Sequence, residues 1–460
     1  MSDQKAQYGD ESPIAALAGP PAFCALSLVR LSGKGSLALL AKLFSRPKAL
    51  LEAQGNTIVY GWILSSDPSK RRLDEVLVSV FRSPHSYTGE ESADICCHGG
   101  FQTVRVIMEA LLASGFRAAL PGEFTFRAFL NGKLDLTRAE SVMEIVGAKS
   151  DAGLNHALER LSGTLETEIK GIKNDIMSSL AETELNLDYS ELDGVGDDDN
   201  ALPGRLFVES ALRRLDVLAD HYSYEKICRD GVIVVIAGKP NAGKSSLFNL
   251  LIKEDRSIVT DIPGTTRDWI EGWISLDGIP IRFIDTAGLR ESPDVIEKIG
   301  IDRSRALLKS ADLVLYMLDG TDFHEEDIPV NEFQDTKRLI FIWNKSDIAP
   351  PAPQGDFLGI SAKTGEGLKT LCSKITSILG ELYGRYEGRQ SGIGTDRQKN
   401  LIDSARTSLR SVCDMADRGE MLDLIAPLLR EALDALGMIT GEVSTDDILE
   451  SMFSRFCVGK

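Results

Sequence analysis

Residues Val232 to Ser245 read VIVVIAGKPNAGKS, and the apolar helical run SLFNLLI begins at Ser246. Val232 to Ala237 is an unbroken apolar stretch, as expected of a parallel strand buried on both faces. It runs straight into Gly238-Lys239-Pro240-Asn241-Ala242-Gly243-Lys244-Ser245, a phosphate-binding loop in the strand-to-helix context that such a loop requires. The glycines let backbone N–H groups turn inward around a β-phosphate, Lys244 brings a point charge to the β and γ oxygens, and Ser245 offers a hydroxyl to Mg²⁺. With Asn241, Ala242, Gly243 and Ser246 these residues make up the expected phosphate cradle. A Gly-rich turn with an incidental Lys-Ser pair is the bland alternative, and the flanking strand and helix argue against it.

Further motifs follow in order. The apolar strand IRFI ends in Asp285-Thr286-Ala287-Gly288, which sets a carboxylate near the Mg²⁺ shell and a Gly N–H where it senses the γ-phosphate. LIFIW leads into Asn344-Lys345-Ser346-Asp347. A carboxylate at Asp347 accepts from the N1–H and N2 amino donors of guanine; adenine lacks both and leaves the acid unpaired, so the expected nucleotide is GTP. Ser361-Ala362-Lys363 then supplies a backbone N–H for the guanine O6. Between the loop and the Asp285 tetrad lies Thr260-Asp261-Ile262-Pro263-Gly264-Thr265-Thr266, suited to a first switch with Thr266 on Mg²⁺. The carbonyls of Thr260 and Ile262, with the Asn241 amide oxygen, form a candidate site for a monovalent cation. Ras-like GTPases place a water-orienting Gln directly after the Asp-x-x-Gly tetrad. Leu289 stands there instead, so the catalytic group is sought among Glu291, Asp294 and Glu297, in a partner, or in a second subunit.

At 460 residues the chain has room for two or three domains. Apolar residues at 43% and charged residues at 26% match a globular protein, and no apolar run approaches the roughly 20 residues of a membrane span. The first ten residues, MSDQKAQYGD, carry neither a secretory nor a transit signal, and cytoplasmic residence is expected. Seven scattered cysteines suit reduced thiols and show no zinc spacing. Cys457, beside Phe456, reads first as a small buried hydrophobe and second as a candidate for chemistry. The histidines show no ligand spacing. A net charge of −18 disfavours broad contact with nucleic acid, so RNA must be met by a local patch or by a partner.

Short β-rich runs alternate with helical ones from Cys24 to Lys133, and amphipathic helical periodicity begins at Leu134. It resumes beyond the acidic loop SELDGVGDDDN, gives way to the strand-helix alternation that carries the phosphate loop, and returns after YGRYEGRQSGIG. The expected fold is a multidomain α/β protein: an N-terminal α/β domain over 1–133, a helical domain in two parts over 134–229 and 385–460, and an inserted nucleotide domain over 230–384.

Three stretches narrow the field: Ser86-Tyr87-Thr88-Gly89-Glu90; Pro121-Gly122-Glu123-Phe124-Thr125 with Arg127-Ala128-Phe129-Leu130-Asn131-Gly132-Lys133; and the terminal Phe456-Cys457-Val458-Gly459-Lys460. Together with the nucleotide motifs they resemble the MnmE (TrmE) family of tRNA-modification GTPases over nearly the whole chain. The resemblance implies an N-terminal domain that dimerises and binds 5-formyl-tetrahydrofolate, a discontinuous all-α domain, and an inserted Ras-like G domain. It also implies K⁺-stimulated GTP hydrolysis and action with the flavoprotein MnmG on C5 of the wobble uridine of certain tRNAs. Carried over by motif, Glu297 is the catalytic glutamate, Asn241, Thr260, Ile262 and Thr265 hold K⁺, and Ser245 and Thr266 hold Mg²⁺. Folate contacts fall on Arg30, Glu90, Lys133 and Lys460. Two other readings remain at this stage: a regulatory GTPase of ribosome assembly, and a folate-dependent one-carbon transferase with a regulatory G domain.

Overall fold

The structure is a computed structural model that describes residues 8–193, 202–254, 270–285, 311–324, 328, 338–383 and 392–460. It divides into two compact units, Met1–Met143 with Glu166–Lys173 and Arg430–Lys460, and Glu144–Leu165 with Asn174–Leu429.

The first unit is built on a six-stranded sheet of order β3-β4-β5-β2-β1-β6. Its strands are β1 (Ile14–Leu17), β2 (Leu26–Ser32), β3 (Thr57–Leu64), β4 (Arg72–Phe81), β5 (Ser92–His98) and β6 (Arg117–Ala118). All neighbours are antiparallel except β1 and β6. Period-2 patterning decides which face is covered: Val76, Val78 and Val80 of β4 turn inward while Glu75 and Leu77 turn out. Helices Ser36–Ala41 and Phe101–Ala113 close over that face through Leu37, Leu40, Ile107 and Leu111.

The helix Glu123–Leu130 starts at Gly122, whose φ of 66° lies in the left-handed region. A Cβ there would fall 2.7 Å from the Phe453 carbonyl oxygen and 2.8 Å from the Phe456 Cβ, so only glycine fits. Phe126 meets Phe453 edge-on and Phe456 packs tilted against Phe453, with ring centroids 5.3 and 5.2 Å apart, and these contacts fasten the C-terminal residues to this unit.

The second unit holds another six-stranded sheet, of order β12-β11-β10-β7-β9-β8. Its strands are β7 (Val232–Gly238), β8 (Ile270–Leu276), β9 (Ile279–Asp285), β10 (Leu313–Asp319), β11 (Leu339–Asn344) and β12 (Phe357–Gly359). β8 is antiparallel to β9 and all other pairings are parallel. Apolar layers on both faces explain why the central strands read as unbroken apolar runs. Val234 and Ile236 meet Phe248, Leu251, Ile375 and Leu379 from the helices Lys244–Glu254 and Leu368–Tyr383, while Val235 and Ala237 meet Ile284 and Val314. Strand order reverses at β7, with β9 on one side and β10 on the other. This is the switch point at which open α/β sheets hold ligands.

The same unit contains the helices Asp151–Leu161, Arg205–Asp230 and Asp396–Asp417, the first capped by Ser150 and the last by Thr395. Where the chain passes from Arg205–Asp230 into β7 and where it returns at Gly392, a buried ionic network forms. Arg160, 3% exposed, donates to Glu144 at 2.6 Å and to Glu225 at 2.9 Å. Glu225 accepts from the Gly392 N–H at 2.9 Å, and Arg229 donates to the Gly394 carbonyl. His156 Nδ1 lies 3.1 Å from Glu225. Burial works against the Glu225 carboxylate, but His156 and Arg160 outweigh it and hold its pKa below the ordinary 4.5. No helix among the described residues is long and apolar enough to cross a membrane.

Candidate functional site

The loop after β7 is shaped by backbone conformations that few residues adopt. Asn241 has φ 65° and Gly243 φ 96°, and a Cβ on Gly243 would run into the Asn344 side-chain amide. Lys244, the first residue of its helix, curls back so that Nζ donates to the carbonyls of Gly238 at 3.0 Å and Lys239 at 2.7 Å. A cation is thereby set over its own loop, where a phosphate would lie. Ser245 Oγ donates to Asp285 Oδ2 at 2.7 Å, and Asp285 is fully buried at the end of β9. A hydroxyl and a buried carboxylate joined in this way are hard oxygen donors that fit a hydrated Mg²⁺.

Asn344, at the end of β11, joins the loop of Ser361, Ala362 and Lys363 to the loop after β7. Its Nδ2 donates to the Ala242 carbonyl at 2.7 Å and its Oδ1 accepts the Ala362 N–H at 3.0 Å. The Ala362 N–H, expected from the sequence to meet guanine O6, thus donates to Asn344 within the protein. Lys345, at φ 64°, is ion-paired with Asp319 at the end of β10. Burial tends to raise the Asp319 carboxyl, but hydrogen bonds from Lys345 and Thr321 hold it below the ordinary 3.8. Asp319 is missing from the sequence reading, although its signal is visible: like Asn344, it is a polar residue ending an apolar parallel strand. Asp347 and Lys363 are exposed, Ser361 is buried with its Oγ accepting from the Thr364 N–H at 3.2 Å, and the buried Ser346 hydroxyl has no hydrogen-bond partner among the described residues. Thr260, Asp261, Ile262, Pro263, Gly264, Thr265 and Thr266 lie outside the described residues, as do Thr286, Ala287, Gly288, Leu289, Glu291, Asp294 and Glu297.

In the first unit, Arg30 reaches the C-terminal turn that ends in Lys460, while Glu90 is held by the helix Glu123–Leu130 and Lys133 lies in the turn that follows it. Arg30 Nη1 donates to the Gly459 carbonyl at 3.3 Å, Nε donates to Asp94 at 3.2 Å, and the guanidinium carbon lies 5.8 Å from the Tyr87 ring centre. Glu90 accepts from Ser32 Oγ at 2.7 Å and from Arg127 at 3.2 Å. Lys133 Nζ donates to the Pro84 carbonyl at 3.1 Å, and the Lys460 carbonyl accepts from the Phe124 N–H at 3.2 Å. The set offers cations for a carboxylate tail and a carboxylate for N–H and amino donors, which fits a folate. Ser32 has no signal in the sequence and Arg127 figures there only as part of a motif, because nothing in their spacing connects them to Glu90. Cys457 differs from expectation: Phe456 takes the buried position, and the thiol of the next residue points to solvent.

Residues 13–133 match the family model described as GTP-binding protein TrmE N-terminus, and residues 136–457 match that described as MnmE helical domain. The tRNA modification GTPase MnmE of Treponema denticola is 42% identical, over 99% of this chain and all of the relative. Its counterpart in Carboxydothermus hydrogenoformans is 40% identical, over 98% of this chain and all of the relative. That of Enterococcus faecalis is 38% identical over 97% of this chain and 98% of the relative. The chain is therefore a GTPase of multidomain α/β fold with a Ras-like G domain, and it belongs to the MnmE (TrmE) family of tRNA modification GTPases.

Proposed function

We propose that this GTPase is stimulated by K⁺ and acts with the flavoprotein MnmG to modify C5 of the wobble uridine of certain tRNAs, drawing a one-carbon unit from a folate. The observation that carries the reading is likeness to proteins named tRNA modification GTPase along almost the entire chain, joined to a β7 loop built for a nucleoside triphosphate. In this reading the protein works in the cytoplasm as a homodimer, divided at 1–133, 134–229, 230–384 and 385–460. Its charge of −18 favours MnmG as the main tRNA-binding surface.

Lys244 and the loop N–H groups would hold the β and γ phosphates, Asp347 would choose guanine, and Ser361, Ala362 and Lys363 would border the base. Ser245 and Thr266 would hold Mg²⁺, and Asn241, Thr260, Ile262 and Thr265 would hold K⁺. When bound, both cations would supply positive charge against the phosphate oxygens, and K⁺ would take the part an arginine finger plays elsewhere. Glu297 would orient the attacking water, a task that Leu289 has no polar group to perform. Arg30, Glu90, Lys133 and Lys460 would bind 5-formyl-tetrahydrofolate, and Cys457, exposed and close to Lys460 in sequence, is available for chemistry.

Steady-state GTP hydrolysis of the wild type and Glu297→Ala, each in K⁺ and in Na⁺ at equal ionic strength, tests the proposal. K⁺ should raise the wild-type rate above that in Na⁺, and Glu297→Ala should lose about 10²-fold or more in kcat with GTP still bound. Equal rates in the two salts would sink the cation-assisted reading and point to an activator protein.

A further inference from the structure

Arg30, Glu90 and Lys460 come from distant parts of the sequence, yet the short helix Glu123–Leu130 touches all three, and Lys133 lies in the turn that follows it. The Phe124 N–H donates to the Lys460 carbonyl at 3.2 Å, and the Phe124 ring centre lies 5.9 Å from the Arg30 guanidinium carbon. Arg127 Nη1 reaches both Glu90 oxygens, at 3.2 and 3.3 Å. The chain leaving the helix folds back so that the Lys133 N–H donates to the Ala128 carbonyl at 2.8 Å. The loop that carries Glu90 is gripped on either side, where Tyr87 Oη meets Thr125 Oγ1 at 2.9 Å and Asn131 Nδ2 donates to the Thr88 carbonyl at 2.7 Å.

Arg127 is the member that a purely structural helix would not need. Only 5% exposed, it brings a charge into the interior, where desolvation costs several kcal/mol. Its Nη2 donates to the Asp10 and Ser12 carbonyls at 2.8 Å and to Glu123 at 3.0 Å. Glu123, fully buried, also accepts from Arg117 at 2.6 Å on the oxygen it offers Arg127 and at 3.0 Å on the other. A planar guanidinium fork holds two carboxylates at fixed angles, which an ammonium does not. Ser32 Oγ adds a donor to Glu90, and its hydroxyl is oriented in turn by Thr88 Oγ1 at 2.6 Å.

We infer that Arg127 is a positioning residue. It fixes the direction in which Glu90 presents its oxygens to the N–H and amino donors of a pterin, while Glu123 and Arg117 hold Arg127 in place. The inference rests on the reading of this cluster as the folate site.

The experiment is calorimetric titration of the full chain with 5-formyl-tetrahydrofolate, for the wild type, Arg127→Lys, Glu90→Gln and the double variant, with thermal melts alongside. Lysine keeps the charge and loses the fork, so Arg127→Lys should raise Kd about tenfold and Glu90→Gln at least as much. Because Arg127 acts through Glu90, the double variant should bind no more than about twofold more weakly than Glu90→Gln alone. If Arg127→Lys does not fold, Ser32→Ala, which removes the other donor to Glu90, enters the same cycle with the same expectation of non-additivity. An unchanged Kd in Arg127→Lys, or additive losses in the double variant, would overturn the positioning role and leave the folate site standing. No binding by the wild type would overturn the folate reading and this inference with it.

Discussion

At the scale of single residues, the thiols show how environment sorts identical side chains. Cys97 and Cys228 are buried, and burial pushes both up to about 11 from 9.0; Cys24 and Cys457 are exposed. Iodoacetamide at pH 8 should therefore label Cys24 and Cys457 first and spare Cys97 and Cys228 until the chain unfolds, as peptide mass mapping would reveal. The linkage has a definite sign. The folded state holds these protons more tightly than the unfolded chain, so stability falls as pH rises from about 9 to about 11. A urea midpoint that stayed flat across that window would contradict it. The nucleotide-loop residues were legible one by one because their chemistry is contiguous: Lys244, Ser245 and Asn344 each sit at the end of an apolar strand or the start of a helix. The outward turn of Cys457 was not, since it depends on which of two adjacent residues fills the pocket beside Phe453.

At the scale of elements, the phosphate loop depends on the layer beneath it. Phe283 of β9 is fully buried among Val234, Phe248 and Leu315, two residues before Asp285. Phe283→Ala should cost about 3–5 kcal/mol of stability and, by loosening the end of β9, weaken Mg²⁺-dependent GTP binding as well. Fluorescent nucleotide titration with and without Mg²⁺ separates the two effects, and an affinity equal to wild type in the folded variant would show that β9 does not position Asp285. The sequence was clear wherever a strand was long and strongly patterned, as in β3, β4 and β7. It was silent on β1, where IAAL is too short to show a period, and on β6, which is two residues long. The organising role of Glu123–Leu130 was equally hidden, because it arises from contacts with residues 37 and 117 positions earlier in the chain and with Lys460 at its end.

At the scale of the whole molecule, the network of Arg160, Glu144, Glu225 and His156 ties helical segments to the returning chain at Gly392. Arg160→Met strips two buried carboxylates of their shared cation and should cost about 3–5 kcal/mol, read as a lower urea midpoint. Adding Glu225→Gln should recover part of the loss, because one of the orphaned charges is then gone. Since the Glu225 pKa is held below 4.5, its contribution is complete above that pH and lost as pH falls through the folded value. A midpoint unchanged by Arg160→Met would mean that the network is incidental. Sequence periodicity announced the helices but not this network, whose members lie as far apart as 144 and 392.

The hydrogen bond from Arg229 to Gly394 bears on heredity as well as on mechanics. The chain departs for β7 and comes back at points one side chain apart, so the intervening codons form a cassette with abutting borders. An in-frame exchange of the segment between those borders should therefore leave the flanking helices Arg205–Asp230 and Asp396–Asp417 in place, as circular dichroism of the exchanged chain would show.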